Sequence, residues 1–405
     1  MRGSITKRGK ASWRIKFELT PDPATGKRRF HWETVRGLRK VAEARLTELL
    51  TSLDTGRYVE RSAITVGEWV DDRIAHWETS GEISARSAEG YRRKFINYIK
   101  PHLGDTMLQA LKPRGLERWH RDLRTSGRTR GSGGVGPLTI RSAHRILGKA
   151  LAEAVKFDLI PRNVTSPASG GQRTPRVVKR EVEIIAEDKI GPMLAKLRTN
   201  HETRGERGRP VRVGRTLYPK IVTLLFTGLR RGELLALRWC DLDLPGKRLR
   251  VAQAIEQTTK HGLRVKEAKS EAGRREISLP DIVVEALEEH RREQLEVRLR
   301  LGLGRMSSDD FVFVALDGGP QRPDNFSGDW HEMRGAVGVP RVGLHALRHT
   351  HASMLIAAGL DVVQISKRLG HASPAITLAV YSHFFRKDDT AVSAAINAAV
   401  AKLGK

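Results

Sequence analysis

The spacing of hydrophobic residues changes along the 405-residue chain, and each change predicts a different kind of structure. Residues 12–17 alternate apolar and polar side chains, as do residues 27–34, and the segment 21–26 between them is rich in turn-forming residues. Alternation with a period of two predicts two β-strands joined by a turn. A helical period then runs from about Leu38 to Leu53. Residues 1–60 are therefore predicted to form a small α+β unit.

From Thr65 onward the hydrophobic period is helical. Thr65 and Glu68 have the spacing of a capping box, in which each side chain bonds the backbone of the other residue. Residues 62–165 are predicted to be an all-α domain of four helices. The first of these helices begins at Thr65, and the others are predicted over residues 87–100, where Pro101 ends the helix, 113–123 and 138–157.

Proline and glycine interrupt the pattern at residues 166–180, which carry few apolar side chains and are predicted to be an interdomain linker. In the remaining part, residues 181–405, the basic segment 201–215 is predicted to be a surface loop. The apolar run 221–226 predicts a buried helix, and alternation within 248–280 predicts short antiparallel strands. The chain is thus predicted to be multidomain, and its last domain to be mixed and mainly α, with a small antiparallel sheet.

Three short helices are predicted near the C-terminal end. The first carries His345 and Arg348, whose spacing of three puts them on one helical face, and it ends at Gly359. The second spans about 361–369 and is followed by His371 in a turn.

The third of these helices is predicted to begin at Ser373, as an N-cap, with Pro374 in the first turn, and it carries Tyr381. Beyond Tyr381, apolar residues recur at helical spacing and predict an amphipathic tail helix. These residues are Val392, Ile396, Val400 and Leu403.

Composition indicates a class of partner only through charge, because 73 Lys and Arg against 46 Asp and Glu give a net charge of +27. Such an excess predicts binding to DNA phosphates, and a merely soluble basic protein is the alternative. The single cysteine, Cys240, allows no internal disulfide, and residues 1–13 contain no apolar signal core. The protein is therefore expected to be intracellular.

Two sets of basic residues are candidates for DNA contact. One lies on the predicted N-terminal strands and the other in the arginine-rich stretch 121–145. Either set could instead be a solvated surface, the wet face of a half-buried sheet in one case and a charged loop in the other. The first set is Arg14, Lys16, Arg28 and Arg29, and the second includes Arg128, Arg130, Arg141 and Arg145.

The C-terminal motifs together resemble the signature of the tyrosine recombinases, the phage-integrase family. They are His345-x-x-Arg348, Leu369-Gly370-His371 and Tyr381. Upstream, the segment 227–239 and the segment 268–275 resemble two further parts of that family. The resemblance implies a catalytic set of Arg230, Lys269, His345, Arg348, His371 and the nucleophile Tyr381, with Glu233 as the acidic partner of Arg230.

Two of these assignments leave alternatives open. Glu233 has the position of an ordinary first-turn carboxylate, which a helix dipole favours by itself. Lys269 matches a family hairpin turn that carries the catalytic lysine, but Lys260 and Lys266 are close by and a turn lysine is usually only solvated.

The chemistry explains why these residue types are needed together. A tyrosine hydroxyl, with a free pKa near 10, must attack a phosphodiester anion. Two arginines can bind its non-bridging oxygens and stabilise the added charge of the transition state. The resemblance gives these roles to Arg230 and Arg348, the acid role to Lys269, the base role to His345 and a phosphate-donor role to His371. The product is a 3′-phosphotyrosine, and no metal, ATP or other cofactor is expected.

The resemblance also implies domains and partners. Residues 1–60 would be an arm-type DNA-binding domain, 62–165 a core-binding domain and 181–405 the catalytic domain. The expected partners are double-stranded DNA attachment sites, further copies in a homotetramer, an excisionase or directionality factor and a host DNA-bending protein, within the cytoplasm and nucleoid of a bacterial host. The tail helix would pack on its own domain or dock on a neighbouring protomer.

Three other readings compete with the recombinase. A zinc site is suggested by the crowding of His345, His349 and His351, but Ala346 occupies the position where a zinc-protease helix has glutamate. A DNA-binding protein without catalysis would tolerate a different residue at one of the motif positions, and none has changed, which speaks against this alternative. A type IB topoisomerase uses the same residue types and would rejoin the same strand without exchange between duplexes.

Overall fold

The structure, a computed structural model, divides into two compact units, residues 1–178 and 179–405. It combines helices with small antiparallel sheets. It describes residues 3–21, 25–55, 58–171, 173–177, 182–199, 201–204, 210–213, 216–267, 273–315, 318–382, 384–385, 393, 396–398 and 400–401, with side chains except at 169, 201–204 and 210–213. Within these ranges no helix is both long and apolar enough to cross a membrane.

The first unit begins with an antiparallel sheet of three strands in the order β1-β2-β3, followed by a helix. Two strands were expected from the sequence. The additional strand, β1, has Ile5 as its single large apolar residue, so its alternation is too weak to detect. The elements are β1 Ser4–Gly9, β2 Ser12–Leu19, β3 Arg29–Arg36 and α1 Arg39–Asp54.

One face of this sheet packs on α1 and the other stays open. Ile15 and Phe17 of β2 are buried in a hydrophobic cluster with Leu46 of α1. Because successive side chains of a strand point to opposite faces, Arg14 and Lys16 lie on the open face. The sheet therefore presents basic residues on the side that its core does not use.

The rest of the first unit is helical, with a capping box at its start. Thr65 Oγ1 accepts from the Glu68 backbone N–H at 3.2 Å, and the Glu68 carboxylate accepts from the Thr65 N–H at 2.9 Å. Trp77 and Trp119 are buried in a cluster shared by these helices. The helices are α2 Val66–Thr79, α3 Ala85–Lys94, α4 Lys100–Leu103, α5 Pro113–Ser126 and α6 Pro137–Lys156.

The prediction that Pro101 ends a helix is wrong. A π-helical turn, Phe95–Ile99, follows α3, and the chain continues directly into α4. Pro101 lies in the first turn of α4, where a missing backbone N–H costs no intrahelical hydrogen bond.

The second unit places a buried helix, α8, at the centre of a mainly helical arrangement. All three side chains at Ile221, Val222 and Leu225 are buried, as the apolar run predicted. The helices are α7 Glu187–Arg198, α8 Tyr218–Thr227, α9 Arg231–Ala236, α10 Asp281–Arg300, α11 Pro323–Met333, α12 Leu344–Ala357, α13 Val362–Leu369 and α14 Pro374–Tyr381. Among the described residues there are also three 3₁₀ turns, Leu108–Ala110, Pro167–Ser169 and Trp239–Asp241.

The strands of the second unit differ from the prediction in two respects. The segment expected to be a surface loop contains an antiparallel pair, because β-branched residues such as Val211 and Val213 favour strands. The segment carrying Lys269 does not join two paired strands, since β9 pairs with β8 whereas β10 pairs with β7. The strands are β4 His201–Arg204, β5 Pro210–Val213, β6 Leu242–Asp243, β7 Arg248–Val251, β8 Gln253–Thr258, β9 Gly262–Glu267 and β10 Arg275–Ser278.

Gly228 ends α8 and allows a close approach of the C-terminal helices. Its φ is +69°, and a Cβ atom there would lie 2.6 Å from His351 Cδ2 and 2.8 Å from Leu369 Cδ2. We expect Gly228→Ala to lower the free energy of unfolding by about 2–5 kcal/mol, from left-handed backbone strain plus overpacking. The matched control is Gly359→Ala, where φ is +82° and no described atom lies within 4 Å of the added Cβ. Denaturant unfolding of both variants would contradict this account if their losses were equal.

Candidate catalytic site

The second unit brings five of the six predicted catalytic residues into one region, and Lys269 lies outside the described residues. Helices α12 and α14 and the turn after α13 supply the C-terminal residues, while the start of α9 supplies an arginine. These five are Arg230, His345, Arg348, His371 and Tyr381.

Arg348 is buried and its guanidinium spans two other elements. It donates from Nη1 to the Gly228 carbonyl and from Nη2 to the Leu369 carbonyl, both at 2.6 Å. Burial lowers the pKa of Arg348 to about 9, and the Arg230 cation adds to this shift. The group therefore remains a cation at neutral pH, fixed by the ends of α8 and α13.

Arg230 is held by a carboxylate and a backbone carbonyl. It donates to the Glu233 carboxylate at 2.6 Å and to the Gly370 carbonyl at 2.9 Å. Its side chain remains 43 % exposed, whereas that of Glu233 is 7 % exposed. The carboxylate thus anchors one edge of the guanidinium while the rest stays accessible to solvent.

Arg275, at the start of β10, is a further member of this network that sequence reasoning missed. It donates to Glu233 at 2.8 Å and to the Arg368 carbonyl at 2.8 Å, and its side chain is 7 % exposed. Burial alone would raise the pKa of Glu233, but the Arg275 and Arg230 partners lower it. Glu233 is therefore an ionised, buried link between two arginines, and not merely a first-turn carboxylate. No signal distinguished Arg275 from the adjacent Arg274, because only the strand register decides which one points inward.

We expect Glu233→Ala to reduce the free energy of unfolding by about 3–5 kcal/mol, because it leaves the buried Arg275 charge without its carboxylate. The control is Glu276→Ala, which removes an ion pair to Arg248 whose side chains are 63 % and 58 % exposed. That exposed pair should contribute at most about 1 kcal/mol. Equal losses in chemical denaturation of the two variants would show that the Glu233 network is not a buried ionic anchor.

Tyr381 is the last residue of α14, and its side chain is 1 % exposed. Burial raises the pKa of Tyr381 to about 12, while the Arg348 cation acts in the opposite direction. Its hydroxyl lies 2.6 Å from Nδ1 of His349. The sequence suggests His349 only as a zinc ligand, and no signal in it indicates the hydrogen bond to the tyrosine.

His345 packs edge-on against His349 with its side chain exposed, at what we call the rim of the site, and His371 lies in the turn after α13. Surrounding protein, with the Arg348 and Arg230 cations, lowers the pKa of His345. Burial lowers the pKa of His371 to about 4, again with a contribution from both arginines. His371 Nδ1 lies 2.8 Å from the Thr377 hydroxyl, which fixes the ring against α14. Both imidazoles are therefore neutral at neutral pH.

The third histidine of the predicted cluster faces elsewhere. Arg368 donates from Nε to His351 Nε2 at 3.0 Å, and His351 is 4 % exposed. Burial, with the Arg368 cation, lowers the pKa of His351 to about 3. His349 and His351 thus have separate partners, Tyr381 and Arg368, in the described structure.

In the first unit, the predicted DNA contacts of the N-terminal sheet divide between its two faces. Lys16 lies opposite Trp32 in the register of β2 and β3, and its ammonium is 4.1 Å from the centroid of the Phe30 ring. Phe30 and Trp32 are 37 % and 53 % exposed. Arg14, over Trp32, shares this open face.

The remaining candidates are less uniform. Arg28 is exposed and forms an ion pair with Glu18, whereas Arg29, on the opposite face of the sheet, pairs with Glu60. In and beyond the arginine-rich loop three side chains are exposed and one is half-buried. The exposed ones are Arg128, Arg130 and Arg145, and the half-buried one is Arg141.

Comparison with known proteins relates this part of the chain to a family. Residues 215–387 match the model of the phage integrase family. The XerC-like tyrosine recombinase of Caldanaerobacter subterraneus subsp. tengcongensis is 25 % identical, over 96 % of each chain. The ICEBs1 integrase of Bacillus subtilis is 24 % identical, over 94 % of this chain and 96 % of that protein.

A solved structure shares the fold. It is the Tn1549 transposon integrase in complex with a circular intermediate DNA, with a TM-score of 0.64 and 20 % identity, covering 82 % of this chain and 99 % of that chain. Residues 215–387, which contain the described site residues, thus carry a phage integrase family domain, and the chain as a whole is similar over most of its length to tyrosine recombinases and integrases.

Proposed function

We propose that the protein is a site-specific DNA recombinase that cleaves and rejoins DNA through a 3′-phosphotyrosine intermediate and a Holliday junction, to integrate or excise a mobile element. The observation that carries this proposal is the convergence of two arginines on a buried tyrosine. Arg348 and Arg230 donate to the adjacent carbonyls of Leu369 and Gly370, and the Arg348 cation opposes the burial that raises the pKa of Tyr381. Two cations beside one phenol suit attack on a phosphodiester anion.

In this proposal the two arginines bind the non-bridging oxygens of the scissile phosphate. The accessible edge of Arg230 supports this role, because a phosphate can reach it from solvent. Glu233 and Arg275 orient Arg230. His371 contributes a further hydrogen bond to the phosphate, and Lys269 protonates the departing 5′ oxygen. His345 lies at the exposed rim of the site, where an incoming phosphate can reach it.

We assign DNA binding to the first unit as well. Residues 1–60 would be an arm-type domain, and the open face of its sheet supports this, because Arg14 and Lys16 combine charge with the exposed rings of Phe30 and Trp32. Residues 62–165 would be the core-binding domain, whose exposed arginines contact phosphates. Residues 166–180 would be the linker to the catalytic domain, 181–405.

Assembly into a tetramer on DNA is part of the proposal. Ile396 and Val400 of the tail helix are 57 % and 60 % exposed. Apolar side chains at helical spacing are stabilised by burial, so their exposure favours docking on a neighbouring protomer over packing on their own domain.

The test of this function uses the protein with nicked duplexes taken from the DNA that flanks its own gene. A covalent protein–DNA band on a denaturing gel would establish cleavage. Products that join strands from two differently labelled duplexes would then distinguish recombination from the rejoining of a single strand by a topoisomerase. Salt-sensitive binding without any covalent band would support the DNA-binding protein without catalysis.

The sheet surface has its own test. We expect the double variant Arg14→Ala/Lys16→Ala to weaken binding to arm-type DNA and to reduce the salt slope of log K by about two, one for each lost phosphate contact. The control is Arg39→Ala/Lys40→Ala, which removes the same charge from the exposed surface of α1. Equal effects in fluorescence-anisotropy titrations at several salt concentrations would mean that only net charge matters.

A further inference from the structure

The Tyr381 hydroxyl is oriented by a histidine to which no catalytic role is assigned above. His349 lies on α12, one residue after Arg348 and four after His345, so it faces the same region. Its Nδ1 atom is 2.6 Å from Tyr381 Oη, across the gap between α12 and α14. Among the described residues, His349 is the one hydrogen-bond partner of the Tyr381 hydroxyl.

The direction of this hydrogen bond follows from burial. A buried hydroxyl that donates to nothing loses a hydrogen bond it would make in water, and this is unfavourable. Tyr381 is 1 % exposed, so its O–H must donate to the acceptor beside it, the Nδ1 lone pair. His349 is then the neutral tautomer that carries its hydrogen on Nε2.

The charges around His349 are consistent with a neutral acceptor. Burial lowers the pKa of His349 to about 4, and His345 and the Arg348 cation on the same helix contribute. Tyr381 faces it from α14, and its ring centroid is 5.6 Å from that of His349. At neutral pH an uncharged imidazole therefore faces an uncharged phenol.

His345, which the family resemblance makes the base, has a different position. Its ring lies edge-on to that of His349, with centroids 4.6 Å apart, and its side chain is exposed. It is therefore adjacent to the group that contacts the nucleophile and open to an incoming phosphate. The structure separates the two histidines into one that faces the tyrosine and one at the rim.

We propose that His349 orients the Tyr381 hydroxyl and accepts its proton as the phenol oxygen bonds to phosphorus. This inference rests on the recombinase function proposed above. As the Oη–P bond forms and the P–O5′ bond breaks, the phenol proton moves to His349 Nδ1, and a separate proton, from the acid, reaches the 5′ oxygen. In the rejoining step the P–O5′ bond forms as the 5′ hydroxyl gives its proton to the deprotonated acid, the Oη–P bond breaks, and His349 returns its proton to Tyr381.

The bound phosphate makes this transfer feasible. A negative charge between Arg230 and Arg348 offsets the cations that disfavour the imidazolium, and an anion close to a histidine raises its pKa. His349 therefore becomes a better base when DNA is in the site than when it is absent. Without DNA the phenol stays protonated and unreactive.

The experiment measures single-turnover adduct formation on nicked duplexes by the full chain over a range of pH. We expect His349→Phe, which retains a ring but no acceptor, to slow the step by about 100-fold or more, the scale for loss of a general base. His349→Asn keeps an amide oxygen near the Nδ1 position but cannot be protonated, so it should be intermediate in rate, with a flattened pH profile. His345→Phe serves as the comparison at the rim.

A second measurement distinguishes proton transfer from a structural role. Fluorinated tyrosine at position 381, whose phenol is more acidic, should restore part of the rate lost in His349→Phe and change the wild-type rate much less. A rate within about threefold of wild type in both His349 variants, or an unchanged pH profile with equal fluorotyrosine effects in both backgrounds, would overturn the inference. If His349→Phe does not fold, His349→Asn alone decides. Absence of any wild-type adduct would instead overturn the recombinase function, and this inference with it.

Discussion

Replacing Tyr381 by phenylalanine should abolish the covalent protein–DNA adduct and leave DNA affinity unchanged. The variant lacks only the oxygen that attacks phosphorus, whereas the basic surfaces that bind DNA are intact. Removal of a nucleophile typically lowers a rate by more than about 1000-fold, so no band should be visible on a denaturing gel. The ring remains in the cluster formed with Ile365 and Leu369, so the fold should persist.

Tyr218→Phe is the matched control for this prediction. Tyr218 is also buried in the second unit, at 5 % exposure, but it lies at the start of α8 beneath the Arg198 guanidinium. Its hydroxyl should be dispensable for the adduct. A covalent band that survives in Tyr381→Phe and disappears in Tyr218→Phe would show that Tyr381 is not the nucleophile.

Replacing Arg348 by alanine should slow cleavage by about 100- to 1000-fold, the usual consequence of losing one donor to the charge of a transition state. The arginine does more than carry charge, because it also fixes the Gly228 and Leu369 carbonyls. Arg348→Lys keeps a cation but has no planar fork, so it should recover only a small part of the rate. Single-turnover cleavage of nicked DNA measures both variants.

Two controls separate catalysis from folding and from general electrostatics. Arg300→Ala removes the same charge from a side chain that is 78 % exposed at the end of α10, and it should leave cleavage nearly unchanged. Denaturant unfolding of Arg348→Ala reports how much stability the two carbonyl contacts contribute. If Arg348→Ala weakened DNA binding while the bound complex cleaved at the wild-type rate, the proposed phosphate contact in the transition state would be excluded.

Local pattern was sufficient for many elements, and the motifs that resemble the tyrosine recombinases supplied the candidate catalytic residues. The spacing of His345, Arg348, His371 and Tyr381, with short helices and glycine stops between them, predicted elements that match α12, α13 and α14 closely. Capping at Thr65 and the buried run in α8 were equally visible, because each depends on neighbours within one turn or one helix. Predictions from the sequence agree with the structure wherever interactions between neighbouring residues decide the conformation.

Elements with weak or misleading local signals were missed. Strand β1 has too few apolar residues to show alternation, and its partner β2 decides its conformation. Pro101 reads as a helix stop, yet a π-helical turn before it lets the chain continue. Ser373 does occupy the N-cap position of α14, but its side chain makes no capping hydrogen bond.

The sequence by itself determined which residue types are available for the chemistry and on which elements most of them lie, because periodicity and caps are properties of neighbouring residues. Only the tertiary structure decided their partners. Arg275 reaches Glu233 across 42 positions of the chain, Arg348 reaches Gly228 across 120, and Tyr381 faces His349 across 32. Such contacts depend on how separate helices and strands pack, and the spacing of neighbouring residues does not encode which distant residues meet.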